Sequence, residues 1–265
     1  METEIIVRPF YKKIPFIVII SLLAAFMIYH SVMSVMAPVR KLNEIRAEYG
    51  FAQNVKNPVD ERILSDSAYL SLMKEKAWYQ SRVAMAATDS IYMTINLADS
   101  TVNLEISGVV VHSTDIKKQR ISNILKRDEY SVLNMLSVPF VIERDYSTIK
   151  KEPLMIKMAP KDTSEYQPDI IPDTADFEPV NFILVMENGI NIYVYQEEKL
   201  KFGDGFRRFA FDLSDRLHKT AASLTGTATF RVPEYSPFIR IRLARADAKR
   251  IYRALPYHGQ VGLYR

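Results

Sequence analysis

Twenty-three consecutive residues, Ile14 to Met36 (IPFIVIISLLAAFMIYHSVMSVM), contain one side chain that can charge near neutral pH, His30. No other stretch limits the chain as strongly, because a helix of about 20 apolar residues crosses a hydrocarbon core of roughly 30 Å. A cleaved signal peptide competes with this reading, but the run is long for one and no small-x-small cleavage site follows it. The stretch is read as an uncleaved single-span anchor. Arg8, Lys12 and Lys13 precede it and Arg40, Lys41 and Arg46 follow it, so the positive-inside count is a tie. Lys12 and Lys13 abut the apolar run, which favours a cytoplasmic N-terminus and places everything beyond Ala37 outside, in the periplasm of a diderm bacterium. His30, beside Tyr29, is read as an interfacial residue rather than a proton relay.

The 265 residues are 48% hydrophobic and 25% charged, enough for a sizeable core and too apolar for global disorder. A net charge of +4 without a dense Lys/Arg tract gives no reason to expect a nucleic-acid partner. The chain has no cysteine, which excludes thiol nucleophiles, thiolate zinc sites and disulfides together. Its four histidines show no His-x-His or His-x-x-x-His spacing, so neither a metal nor another cofactor is expected.

Three regions follow: residues 1–38 as N-terminus and span, 39–87 as a helical stalk, and 88–265 as a β-rich domain. Leu42, Ile45, Tyr49 and Ala52 form a short heptad-like seam, interrupted at Asn57-Pro58. From Asp60 to Ala86, Ile63, Leu70, Met73, Ala77 and Ala84 make one helical stripe, and Tyr69, Leu72, Tyr79 and Val83 another. Leu42, Ile45, Tyr49, Leu70 and Met73 are candidates for a surface joining like or unlike subunits. Packing against the following domain explains the two stripes equally well.

Beyond Thr88 the period changes to two. Ile91, Met93, Ile95 and Leu97 alternate, Ala98-Asp99-Ser100 turns, and Val102, Leu104 and Ile106 return, with Gly108 before Val109–Val111. A second hairpin is expected over Asn181–Tyr195, with Asn188-Gly189 as a type I′ turn. Between the hairpins a helix is expected near Ile116–Leu136 and an acidic, proline-rich loop over Ala159–Pro179. FRRFAFDL is read as an aromatic strand leading into a helix at SDRLHKTAASL. Asp212, Ser214, Asp215 and His218 there lack a nucleophile elbow and carry no triad.

The ending IRLARADAKRIYRALPYHGQVGLYR closely resembles the C-terminal end of L,D-transpeptidase catalytic domains of the YkuD type. Ile241-Arg242-Leu243, Asp247-Ala248, Ile251-Tyr252, Leu255-Pro256, Gly259 and Val261 match in order, with a slightly longer turn. The hairpin IYMTINLADSTVNLEISG is similar to that family's first hairpin, so the resemblance spans about Thr88–Arg265. It implies an α+β fold, mainly β with helices, carried outside the cytoplasm by the span and stalk. The family's Ser-His-Gly-Cys falls on Pro237-Phe238-Ile239-Arg240, so Arg240 holds the place of the nucleophile. A guanidinium neither attacks a carbonyl nor activates a group that does. The resemblance therefore implies a pseudoenzyme.

Arg240 and Arg242 stand two apart on a strand and share a face, opposite Ile239, Ile241 and Leu243. Arg240, Arg242, Arg231 and Tyr235 are the candidates for contact with a ligand or partner. Peptidoglycan stem carboxylates suit paired guanidinium groups. Alternatively, the two strand arginines make structural ion pairs with Asp247 or Glu234. The expected function is a non-catalytic subunit of an envelope-spanning assembly, such as a secretion-system membrane complex, anchored in a bacterial inner membrane. A regulatory pseudoenzyme that binds a cell-wall enzyme is one alternative. A wall-modifying enzyme with Ser236 in place of cysteine is another.

Overall fold

The computed structural model describes residues 14–50, 66–151, 179–198 and 202–265, apart from the side chains at 14, 202–208, 214, 215, 218 and 222. Ala52, the Asn57-Pro58 interruption, Ile63 and most of the acidic stretch, 159–178, lie outside the described residues, as do the side chains of Ser214, Asp215 and His218. The chain divides into two compact units, one comprising residues 1–43 and 215–235, the other residues 44–214 and 236–265.

The first unit is built on helix α1 (Ile14–Tyr49), which passes through Pro38 without a break. α1 is long and apolar enough to cross a membrane. Its described side chains from Pro15 to Ile28 are all exposed. From residue 29 onward, a segment of the same unit lies against it. His30 Nδ1 is 2.9 Å from Thr227 Oγ1, the rings of Tyr29 and Phe230 are 5.9 Å apart, and Arg40 donates to the Val232 carbonyl at 3.4 Å. Thr227 lies in the last turn of helix α4 (Phe202–Ala228). This helix corrects the expected aromatic strand. Phe209, Leu213 and Leu217 recur every four residues, a helical period, and the β propensity of the aromatics yields to it.

The second unit is a mixed α+β fold around a nine-stranded sheet in the order β3-β2-β1-β9-β5-β6-β7-β8-β4. The expected first hairpin is β1 (Tyr92–Asn96) and β2 (Thr101–Ile106), followed by β3 (Val109–Asp115). Ser107 and Gly108, both at positive φ, make the two-residue turn between β2 and β3. β5 (Phe140–Ser147) pairs with β9 (Gln260–Tyr264) at its start and with β6 (Asn181–Met186) along the rest, joining the two halves of the sheet. β6 continues into β7 (Asn191–Gln196), which lies parallel to β8 (Phe238–Leu243).

The 188–189 turn also corrects an expectation. Gly189 N donates to the Met186 carbonyl at 2.8 Å, and Met186 N donates to Ile190 O at 2.9 Å, which encloses three residues rather than two. Only Gly189, at φ 79°, is left-handed there, so this is a type I turn closed by a glycine bulge. Gly189→Ala is expected to cost about 1–2 kcal/mol through the left-handed backbone; a chemical melt of the full chain checks it.

The helix expected over Ile116–Leu136 is in fact strand β4 (Lys118–Ile121), a turn, and the short α3 (Tyr130–Leu136). Lys, Gln and Arg favour helix by propensity, but β8 offers an unpaired edge and β4 takes it, with Lys118 opposite Arg242 and Arg120 opposite Arg240. Residues 67–86, assigned from sequence to the stalk, form α2 (Ser67–Ala86), capped by the Asp66 carboxylate. α2 lies along β9: Trp78 meets Tyr264 with ring centroids 5.6 Å apart. A Cβ at Gly262 would stand 2.6 Å from the Met85 methyl, so glycine allows this close approach. α5 (Arg245–Ala254) follows β8 directly, with the Glu198 carboxylate accepting from Arg245 N at 2.8 Å.

Candidate functional site: a cationic face on the sheet

Strand β8 alternates strictly. Ile239, Ile241 and Leu243 are fully buried, whereas Phe238, Arg240 and Arg242 are half-buried on the opposite face. Its two neighbours extend that face in register. Tyr193, Arg240 and Arg120 form one row across the strands; Tyr195, Arg242 and Lys118 form the next. Two rows thus set cation directly against cation, an arrangement that is destabilising unless something offsets it.

Each row is offset differently. Arg242 lies 3.5 Å from Glu197, which is also 3.7 Å from Lys118. Arg240 lies over aromatic faces, 5.3 Å from the Tyr193 centroid and 5.7 Å from those of Tyr195 and Phe238. Arg120 lies 5.9 Å from the Phe238 ring. Such contacts hold a guanidinium through the ring quadrupole and leave its in-plane donors for another acceptor. The buried Nε of Arg240 has no hydrogen-bond partner among the described residues. Tyr195 donates its hydroxyl to Asp212 at 2.9 Å, and burial, then the Asp212 charge, raises its pKa well above the usual phenol range. Tyr195 is therefore a fixed neutral donor, and Phe211 of α4 packs on the same aromatic cluster.

Arg240 and Arg242 share the face. Arg231, exposed, and Tyr235, half-buried, belong to the first unit. The ion pairs considered from sequence are corrected too. Asp247 does not hold Arg242; it accepts from Thr114 Oγ1 at 2.8 Å and lies 3.2 Å from His112 and 3.3 Å from Arg250. Sequence reasoning missed Lys118, Arg120, Tyr193 and Tyr195. The repeated Lys-x-Arg and Tyr-x-Tyr spacing was visible, but pairing 118–121 with 239–242 required the sheet.

The stalk residues lie elsewhere. Leu42 and Ile45 are buried within the single chain, at 4% and 3% exposure, and Asn134 donates to the Tyr49 carbonyl. Leu70 and Met73 help line a cleft of about 340 Å³ with Tyr69, Tyr130 and the Arg46–Glu129 pair. Arg46 holds the Glu129 carboxyl below its ordinary range, chiefly by hydrogen bonding. No group of three metal-ligating side chains occurs among the described residues. His30, His112 and His258 point to Thr227, Asp247 and the Ile142 carbonyl.

No protein-family model matches the chain, and no curated protein or solved structure matches it either.

Proposed function

We propose that the chain is a non-catalytic subunit of an envelope assembly, anchored in a bacterial inner membrane by α1. Its periplasmic sheet unit is a degenerate L,D-transpeptidase-like domain, and its cationic face holds carboxylates of peptidoglycan stems or of a neighbouring subunit. The observation that carries this reading is Arg240. In the resemblance it takes the place of the family's nucleophile; it is opposed to Arg120 and cradled by three rings, and its buried Nε has no partner among the described residues. The order of β8, α5, a Pro256–Gly259 turn and β9 supports the resemblance. Ser21 and Ser31 donate back to the Ile17 and Met27 carbonyls, so these two hydroxyls of the apolar run are satisfied inside the helix, as a bilayer requires.

The test uses the full chain in detergent micelles. It should sediment with purified sacculi, less so as salt rises, and show no turnover of tetrapeptide muropeptides. Turnover would sink the non-catalytic reading. Sedimentation indifferent to salt would sink the cationic face as the contact, since exchange of small anions for carboxylates is what salt opposes.

A further inference from the structure

We infer that α1 is not the only membrane contact: the end of α4 and its Phe230 turn enter the lipid interface beside it. This rests on the reading of α1 as a span.

The first reason is length. The bare stretch of α1, Pro15 to Ile28, covers only about 21 Å at 1.5 Å per residue, less than a hydrocarbon core of roughly 30 Å. The next turns of α1 must complete the crossing. Those turns carry Tyr29 and His30, and against them lie Phe230 and Thr227. A span that begins at Ile14 therefore carries this contact into the outer interface.

The second reason is the turn itself. α4 closes with Arg231 N donating to the Gly226 carbonyl at 2.9 Å and Phe230 N to the Thr227 carbonyl at 3.0 Å. That closure places Phe230 left-handed, at φ 57°, where glycine is the usual residue. A bulky aromatic there is strained, and the residue is 82% exposed. Leu217 and Leu224, two turns apart on α4, are exposed at 59% and 37%. Water gives these side chains no return, whereas the acyl boundary does.

The third reason is the treatment of polar groups. Thr225, Thr227 and Thr229 donate their hydroxyls to the carbonyls of Ala221, Ser223 and Thr225. With its proton committed to Ser223, Thr227 Oγ1 accepts from His30 Nδ1. The turn thus presents apolar carbon outward while satisfying its hydroxyls within, which suits a low-dielectric surface. Exposed Arg216, next to Leu217, and Arg231, next to Phe230, suit anionic headgroups. The occupant is therefore a lipid surface.

The chain lacks cysteine, so single substitutions can carry a nitroxide without background. Phe230→Cys, Leu217→Cys and Leu22→Cys, each in the full chain, are labelled and reconstituted into phosphatidylethanolamine–phosphatidylglycerol vesicles. Accessibility to oxygen, which partitions into lipid, is compared with accessibility to a water-soluble nickel chelate. The Leu22→Cys label should be deep, and those at Phe230→Cys and Leu217→Cys shallow but oxygen-accessible. A deep Leu22→Cys label with nickel-accessible labels at the other two sites overturns the inference and leaves the span standing. Labels at those two sites shielded from both reagents also overturn it, in favour of a protein partner. A nickel-accessible Leu22→Cys label removes the span and the inference with it.

Discussion

Glu105→Ala should destabilise the sheet unit by about 2–4 kcal/mol, the consequence of removing a buried carboxylate from several donors, one of them a half-buried guanidinium. Glu105 is 1% exposed. Its Oε2 accepts from Arg82 at 2.8 Å and from Tyr92 at 3.1 Å, and its Oε1 accepts from Thr94 at 2.7 Å. Alanine would leave all three donors without this acceptor. The Tyr92 hydroxyl also accepts from Gly108 N at 3.0 Å, so the loss reaches the β2–β3 turn. Because Arg82 lies on α2 and stands 5.6 Å from the Trp78 ring, the same substitution should loosen α2 from the sheet. Guanidinium unfolding followed by Trp78 fluorescence measures both effects. A loss below about 1 kcal/mol, the range of an exposed pair, would show that the carboxylate is not the tie.

Arg240→Met should weaken sacculus binding about ten- to a hundred-fold, the equivalent of one charge-assisted hydrogen bond of roughly 1.5–3 kcal/mol. Methionine suits the test better than alanine because Arg240 is packed over Tyr193, Tyr195 and Phe238, and truncation would remove that packing with the charge. Removing the charge also relieves its opposition to Arg120, so stability should fall by less than about 1 kcal/mol. Arg242→Met should weaken binding less, since Glu197 at 3.5 Å already engages that side chain. Sedimentation and thermal melts of both variants decide the matter. Equal binding by wild type and Arg240→Met would mean that the face is merely a stable surface.

Local chemistry was enough for several features. The apolar run of α1, the alternation of β8 and the first hairpin follow from periodicity, because a core-facing period is written directly in the side chains. Glu105 shows where periodicity stops being sufficient. Alternation turns it away from Leu104, onto the face of Tyr92 and Thr94, and that face is buried only because Arg82 of α2 reaches over it.

Other features depended on residues far apart in the chain. Lys118–Ile121 had helical propensity and became a strand because β8 left an edge to fill. Phe209 and its neighbours had β propensity and became helix. The cationic face needed three strands in register, with like charges opposed, an arrangement that composition conceals behind a net charge of +4. Phe230 is an ordinary residue in the sequence; only the closure of α4 gives it a left-handed backbone and an exposed ring. The sequence by itself determined the period and apolarity of each segment, since these are properties of neighbouring residues. Tertiary structure alone decided which segments became partners, because pairing energy depends on edges and faces that exist only once the chain has folded.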